Sequence, residues 1–220
     1  MSAKRAVSAL AAMTMVATIG LGACGSSGGS ADDGAAPGGE LLTGTLGTSP
    51  STTSTTTSGT GTGSSGPFVP GAVSFTDPQG TYTIDISPAW TETSGTLVQE
   101  IEAWQIGIGT SQFQDNVNVL TQDTQGLELQ AYLDFSEGHL GGMDLISSEV
   151  ITGTAGNELG LIEYSGQLAG APVELHALAT VAVHNGQAEV ATLTTTMDTF
   201  AEGRAEAEPY LRTLQGTAGA

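Results

Sequence analysis

A chain of 220 residues with 23 acidic and 4 basic side chains, a net charge of −19 and one cysteine is long enough for one packed domain but cannot close an internal disulfide. So acidic a surface repels phosphate backbones and anionic head groups, which excludes nucleic acid as a partner and adhesion through a basic patch. Stability must come from a packed core.

The first predicted element is a leader. Residues 1–23, MSAKRAVSALAAMTMVATIGLGA, place Lys4 and Arg5 ahead of an apolar, small-residue run over residues 6–21. That run is shorter than the ~20 residues a membrane-spanning helix needs, so it reads as a secretion signal peptide. Cleavage behind Ala23 leaves Cys24 as the first residue, and the LGAC order resembles a bacterial lipobox, in which the thiol receives a diacylglyceryl group. Acyl burial contributes roughly 0.8 kcal/mol per CH₂, and two chains anchor stably where one is marginal. The bland alternative is an ordinary signal with an incidental cysteine, but a lone thiol in an exported protein is a liability, which favours lipidation. Loss of residues 1–23 removes Lys4 and Arg5 and no acid, leaving 2 basic and 23 acidic residues and a net charge of −21.

Residues 24–70 form the second unit, the lipidated N-terminus and a Gly/Ser/Thr-rich linker. Almost nothing in it repays the entropy of ordering, which predicts a disordered tether with a reach on the order of 35 to 40 Å. Its TSPSTTSTTTSGTGTGSSG run also has the composition of an O-glycosylated stalk, although a bare linker needs no sugar. The run GTGSSG at residues 61–66 matches a dinucleotide fingerprint by letter only, since no strand precedes it and no helix follows.

Residues 71–220 are periodic and make one ordinary domain. Residues 73–75 and 82–86 read as strands around a turn in which Pro78 presets φ and Gly80 tolerates positive φ; Ser87 and Pro88 then end the second strand and present Trp90. Residues 101–108 are ambiguous, because Leu97, Ile101 and Trp104 also fit a helical face; strand is favoured for residues 103–108. NVNVL at residues 116–120 alternates and predicts a half-buried strand. A helix is expected over residues 127–138, with Leu129, Tyr132, Leu133 and Leu140 on one side. Residues 145–152 and 158–164 form a further strand pair. Residues 173–183 and 188–196 flank Asn185-Gly186, the preferred centre of a type I′ hairpin turn. That register places Leu178 opposite Leu193, Val181 opposite Val190 and Val183 opposite Ala188, with Ala191 and Met197 on the Leu178 face. Both faces are then apolar and need cover. A closing helix over residues 201–214 would pack Ala207, Tyr210, Leu211 and Leu214; Pro209 inside it predicts a kink or a start near Glu206.

The candidate chemical residues are few. His139, His176 and His184 are the only histidines. His176 and Glu174, two apart on a strand, offer imidazole beside carboxylate, yet a zinc site wants three or four converging ligands, so a hydrogen-bonded histidine is favoured. Glu100 and Glu102 could form a carboxylate pair, but nothing in the sequence splits their pKa values as acid/base work requires. No GxSxG elbow occurs, and Cys24 would be acylated. Residues 115–118, read as an acidic loop, lack the spaced oxygen ligands and the glycine of a calcium loop. Trp90 and Trp104 could grip a sugar or acyl chain, though in an aromatic-poor domain a core role is favoured. No catalytic residue, metal or cofactor is assigned.

SPAW at residues 87–90, NVNVL, the helix with Tyr132 and Leu133, the hairpin ending ATLTTT before Phe200, and the closing helix together resemble the LpqN/LpqT group of actinobacterial lipoproteins over residues 73–214. Pro209 departs from that pattern. The resemblance implies an α+β fold, a PsbP-like antiparallel sheet flanked by helices, preceded by signal peptide and disordered linker. It also implies a non-catalytic accessory protein of the cell envelope, held on the extracytoplasmic face of the cell membrane and handling a lipid, glycan or protein partner. The alternative is an envelope-acting hydrolase or transferase using Glu100 and Glu102 or His176 and Glu174.

Overall fold

The computed structural model describes residues 67–93, 101–168 and 171–217. The leader, the Ala23/Cys24 cleavage and lipid-attachment pair, the linker through residue 66 with its GTGSSG run, and Leu97 and Glu100 lie outside the described residues.

Two antiparallel sheets carry the described domain. The smaller pairs β1 (Val73–Thr76) with β2 (Tyr82–Ile86), and β2 with a short final strand, β10 (Gln215–Gly216). Its first hairpin is tied by Asp77, whose carboxylate accepts the backbone N–H groups of Gln79, Thr81 and Tyr82. Gly80 takes φ of +71°, a backbone that L side chains avoid.

The larger sheet consists of β3 (Thr91–Glu92), β4 (Glu102–Gly109), β5 (Gln114–Asp123), β6 (Asp144–Thr152), β7 (Glu158–Gly166), β8 (Leu175–His184) and β9 (Gln187–Thr196), in the order β3-β4-β5-β9-β8-β7-β6. Every neighbouring pair is antiparallel. The β8–β9 turn has positive φ at both Asn185 and Gly186, as a type I′ turn requires, and it sets Leu178 opposite Leu193, Val181 opposite Val190 and Val183 opposite Ala188.

Side chains alternate across a strand, so the two apolar faces need separate cover. Helix α1 (Leu129–Glu137) lies against Ile162, Tyr164, Ala177, Ala179 and Val181 through Tyr132 and Leu133. Helix α2 (Phe200–Leu211) and the small sheet cover the opposite face, where Phe200, Ala207, Leu211, Tyr82 and Ile84 meet Trp104, Val117, Leu178 and Leu193. The result is an α+β arrangement, an antiparallel sheet flanked by helices. Neither helix has a side-chain cap at its N-terminus; packing onto the sheet holds them.

Several expectations are corrected. Helix α2 starts at Phe200, not near Glu206, and runs through Pro209. Pro209 has no N–H to donate to the Ala205 carbonyl, and both residues are exposed. Met197 falls beyond β9 and is 45% exposed, off the apolar face to which alternation assigned it. Leu140 is buried but lies past the end of α1. Residues 115–118, with Asp115 their one acid, are in β5, not a loop.

Candidate functional site: an acid-lined cleft between the two sheets

The β1–β2 turn closes over one end of the large sheet and leaves a cleft of about 420 Å³, lined by Asp77, Pro78, Gln79, Tyr82, Glu102, Val119 and Thr121. Register explains why these residues share a wall. Glu102 sits opposite Val119 and Thr121 opposite Glu189, so all four project from the face that α2 and β2 cover. From the other side comes Tyr82, whose ring leans on Phe75 at 6.2 Å between centroids. The residue is only 3% exposed, and its hydroxyl has no hydrogen-bond partner.

Glu189, beside Thr121, is wholly buried. His184 Nδ1 is 3.0 Å from its Oε2, but at an angle that closes no hydrogen bond. Burial pushes the Glu189 carboxyl upward and the nearby His184 only partly opposes it. The Tyr82 hydroxyl is also driven up, first by burial and then by the negative charge of Glu102, Asp77 and Glu189. His184 can lie here because β10 offers Gly216; a Cβ on that residue would meet His184 Nδ1 at 2.0 Å.

The cleft therefore presents carboxylate and hydroxyl oxygens with no lysine or arginine facing them among the described residues. It can accept hydrogen bonds and positive charge. Asp77 has little to spare, since both its oxygens serve backbone N–H groups. No group of three His, Cys, Asp or Glu among the described residues is placed to hold a metal ion.

The two arginines of the domain are engaged elsewhere. Arg204 reaches Glu163 through Nη1 at 2.7 Å and Glu208 through Nε at 2.7 Å, while Arg212 Nη2 meets Glu208 at 2.6 Å. His176 Nε2 completes the ladder on Glu163 at 2.9 Å, its ring stacked on Phe200. Burial opposes ionisation of Glu208, but the two guanidiniums outweigh it and lower its pKa. The expected His176/Glu174 pair is not formed: Glu174 precedes β8 and is exposed, and Glu163 takes its place. His139 stacks on Phe135. Both tryptophans are core anchors, Trp104 edge-on to Phe75 and Trp90 against Tyr210 with its Nε1 donating to Glu206.

No protein-family model matches the chain. No curated protein matches it either. Its fold is similar to that of cyanobacterial PsbP from Synechocystis sp. PCC 6803, with 16% identity, 68% of this chain and 94% of that one covered, and a TM-score of 0.48. It is also similar to a Pseudomonas aeruginosa protein of unknown function, at 18% identity, 67% and 98% coverage and a TM-score of 0.47. The Ran-binding protein Mog1p of Saccharomyces cerevisiae shows 10% identity, 66% and 95% coverage and a TM-score of 0.45.

Of the candidate chemical residues drawn from the sequence, Glu102 alone lines the cleft. Tyr82, Glu163 and Glu189 were missed. The available signal was an acid interrupting an apolar strand, as in LGLIEYSG and QAEVATL, which marks a buried carboxylate in need of a partner.

Proposed function

We propose that this chain is an LpqN/LpqT-type actinobacterial lipoprotein, anchored on the extracytoplasmic face of the cell membrane through Cys24 after cleavage behind Ala23. Residues 24–70 tether a PsbP-like domain that has a non-catalytic binding or accessory role toward an envelope lipid, glycan or protein. The LGAC order at the end of a basic-then-apolar leader supports the anchor. The observation that carries the binding role is the cleft of about 420 Å³ between the two sheets, lined by Glu102, Tyr82 and Thr121.

Two measurements test this reading. Cys24→Ala should move the protein from the membrane to the soluble fraction; unchanged pelleting rejects the anchor. Native mass spectrometry of the full chain purified from its own envelope should show a bound molecule, and a consistently bare chain rejects the binding role. The enzymatic alternative instead predicts turnover of an envelope glycan or lipid that is lost in Glu102→Gln.

A further inference from the structure

We propose that the open edge of the large sheet, strand β6, takes up an extended segment of a second protein as an added antiparallel strand, apolar on one face and basic on the other. No residue of β6 lines the cleft; the inference rests on the accessory reading and gives the class of partner.

The two edges of the large sheet are built differently. At one end β3 has only Thr91 and Glu92, and so short a strand is one of the ways in which proteins blunt an edge. At the other, β6 runs for nine residues, and no described strand pairs with it beyond β7. Its Leu145, Ile146 and Val150 are 40%, 51% and 40% exposed, three of the five large apolar side chains exposed among the described residues. A bulge after Leu145 and the acids Asp144 and Glu149 are its only guards, and acids turn away a like-charged strand but not a basic one.

Register fixes which backbone groups are open. His184 and Gln187 bracket a two-residue turn and so form a hydrogen-bonded pair, after which such pairs alternate along each ladder. Carried across β8 and β7, the alternation points Glu149 and Ile151 at β7 and leaves the N–H and C=O of Ser148 and Val150 facing outward. Cross-strand partners share a face. Leu145, Ser148 and Val150 stand opposite Tyr164, Ile162 and Gly160 on the α1 side, whereas Glu149 stands opposite Leu161 on the α2 side. An added strand would hydrogen-bond at Ser148 and Val150, lay apolar side chains over Leu145 and Val150, and set the intervening ones beside Glu149.

Charge chooses the occupant. Asp144, Glu149 and Glu158 along this edge are exposed and form no ion pair with a described residue. A second copy would bring a net charge of −19 and its own Asp144 and Glu149 to the seam. A strand with lysine or arginine between its apolar residues meets both faces of β6.

The test is isothermal titration calorimetry of the full chain, at fixed physiological ionic strength, with acetyl-Lys-Val-Lys-Val-Lys-Val-Lys-amide. It should bind at a single saturable site. In an antiparallel addition the valine amides point at β6, so N-methylation of the three valines should abolish binding, whereas N-methylation of the three lysines that follow them should leave it intact. Val150→Lys should weaken binding about tenfold or more, Glu149→Gln about two- to fivefold, and Glu92→Gln at the opposite edge not at all. These positions are exposed, and circular dichroism confirms that each variant folds. Absence of saturable binding overturns the proposal, as does loss in both methylated peptides or in neither, which would mean contact through side chains alone. Equal weakening by Glu92→Gln overturns it as counterion condensation on an acidic surface. A dimer in analytical ultracentrifugation that Val150→Lys dissolves, with no peptide binding, assigns the edge to a second copy and also overturns it. If the peptide fails while native mass spectrometry shows a bound lipid or glycan, the strand inference falls and the binding role stands; if the chain is also bare, both fall.

Discussion

Asp115 at the start of β5 is fully buried, and neither carboxylate oxygen completes a hydrogen bond of normal geometry, although the Thr199 hydroxyl and the Thr196 backbone stand near. Burial raises its pKa above the ordinary 3.8, those two neighbours offset part of the rise, and Glu202 adds to it. A raised carboxyl pKa means that the folded state holds the proton more firmly than the unfolded one. Its contribution to stability is then complete below about pH 3.8 and is lost as pH climbs through the raised value. Asp115→Asn removes that loss. We expect thermal unfolding curves of variant and parent to lie close at pH 3.5 and to separate, with the variant more stable, toward pH 7. A constant gap across that range would mean that the Asp115 carboxyl titrates alike in the folded and unfolded states.

At the scale of elements, two glycines set how closely the helices approach the sheet. A Cβ on Gly203 of α2 would come within 2.8 Å of Thr195 Cγ2, and one on Gly160 of β7 within 2.5 Å of Leu133 Cδ2. Gly203→Ala meets a β-branched side chain that has little freedom to turn away. Overpacking costs about 1–3 kcal/mol, more than the up to about 1 kcal/mol an alanine gains in a helix interior, so urea denaturation should show net destabilisation. For Gly160→Ala the obstacle is the end of a leucine, and combination with Leu133→Ala should be less harmful than the two single costs summed. Strict additivity would mean that α1 does not rest on that glycine. The ion-pair ladder between β7 and α2 is a weaker fastening. Arg204 is 36% exposed along its side chain, so Arg204→Ala should cost only about 1 kcal/mol, and less at 0.5 M salt.

For the whole molecule, a net charge of −19, or −21 without the leader, over a chain whose only described arginines are paired means that folding compresses like charges. Raising NaCl from 10 to 300 mM should therefore raise the melting temperature by a few degrees, at about 2–4 °C per kcal/mol of relieved repulsion; a fall would mean that the ladder of ion pairs outweighs the repulsion. The same scale separates what was readable in advance from what was not. Strand positions, the Asn185-Gly186 turn and the Leu178–Leu193 register follow from alternation and turn chemistry, which act over a few neighbouring residues. His176 was matched with Glu174 two positions away, whereas its carboxylate comes from Glu163 on the adjacent strand, thirteen residues distant. Glu102, Tyr82 and Glu189 belong to β4, β2 and β9 and meet only because β9 inserts between β5 and β8 while the small sheet folds over that end. Local periodicity thus determined the elements and their apolar faces from sequence alone. The cleft and the pairing of His176 with Glu163 and of His184 with Glu189 were decided by tertiary structure, because burial and charge pairing depend on which distant strands become neighbours.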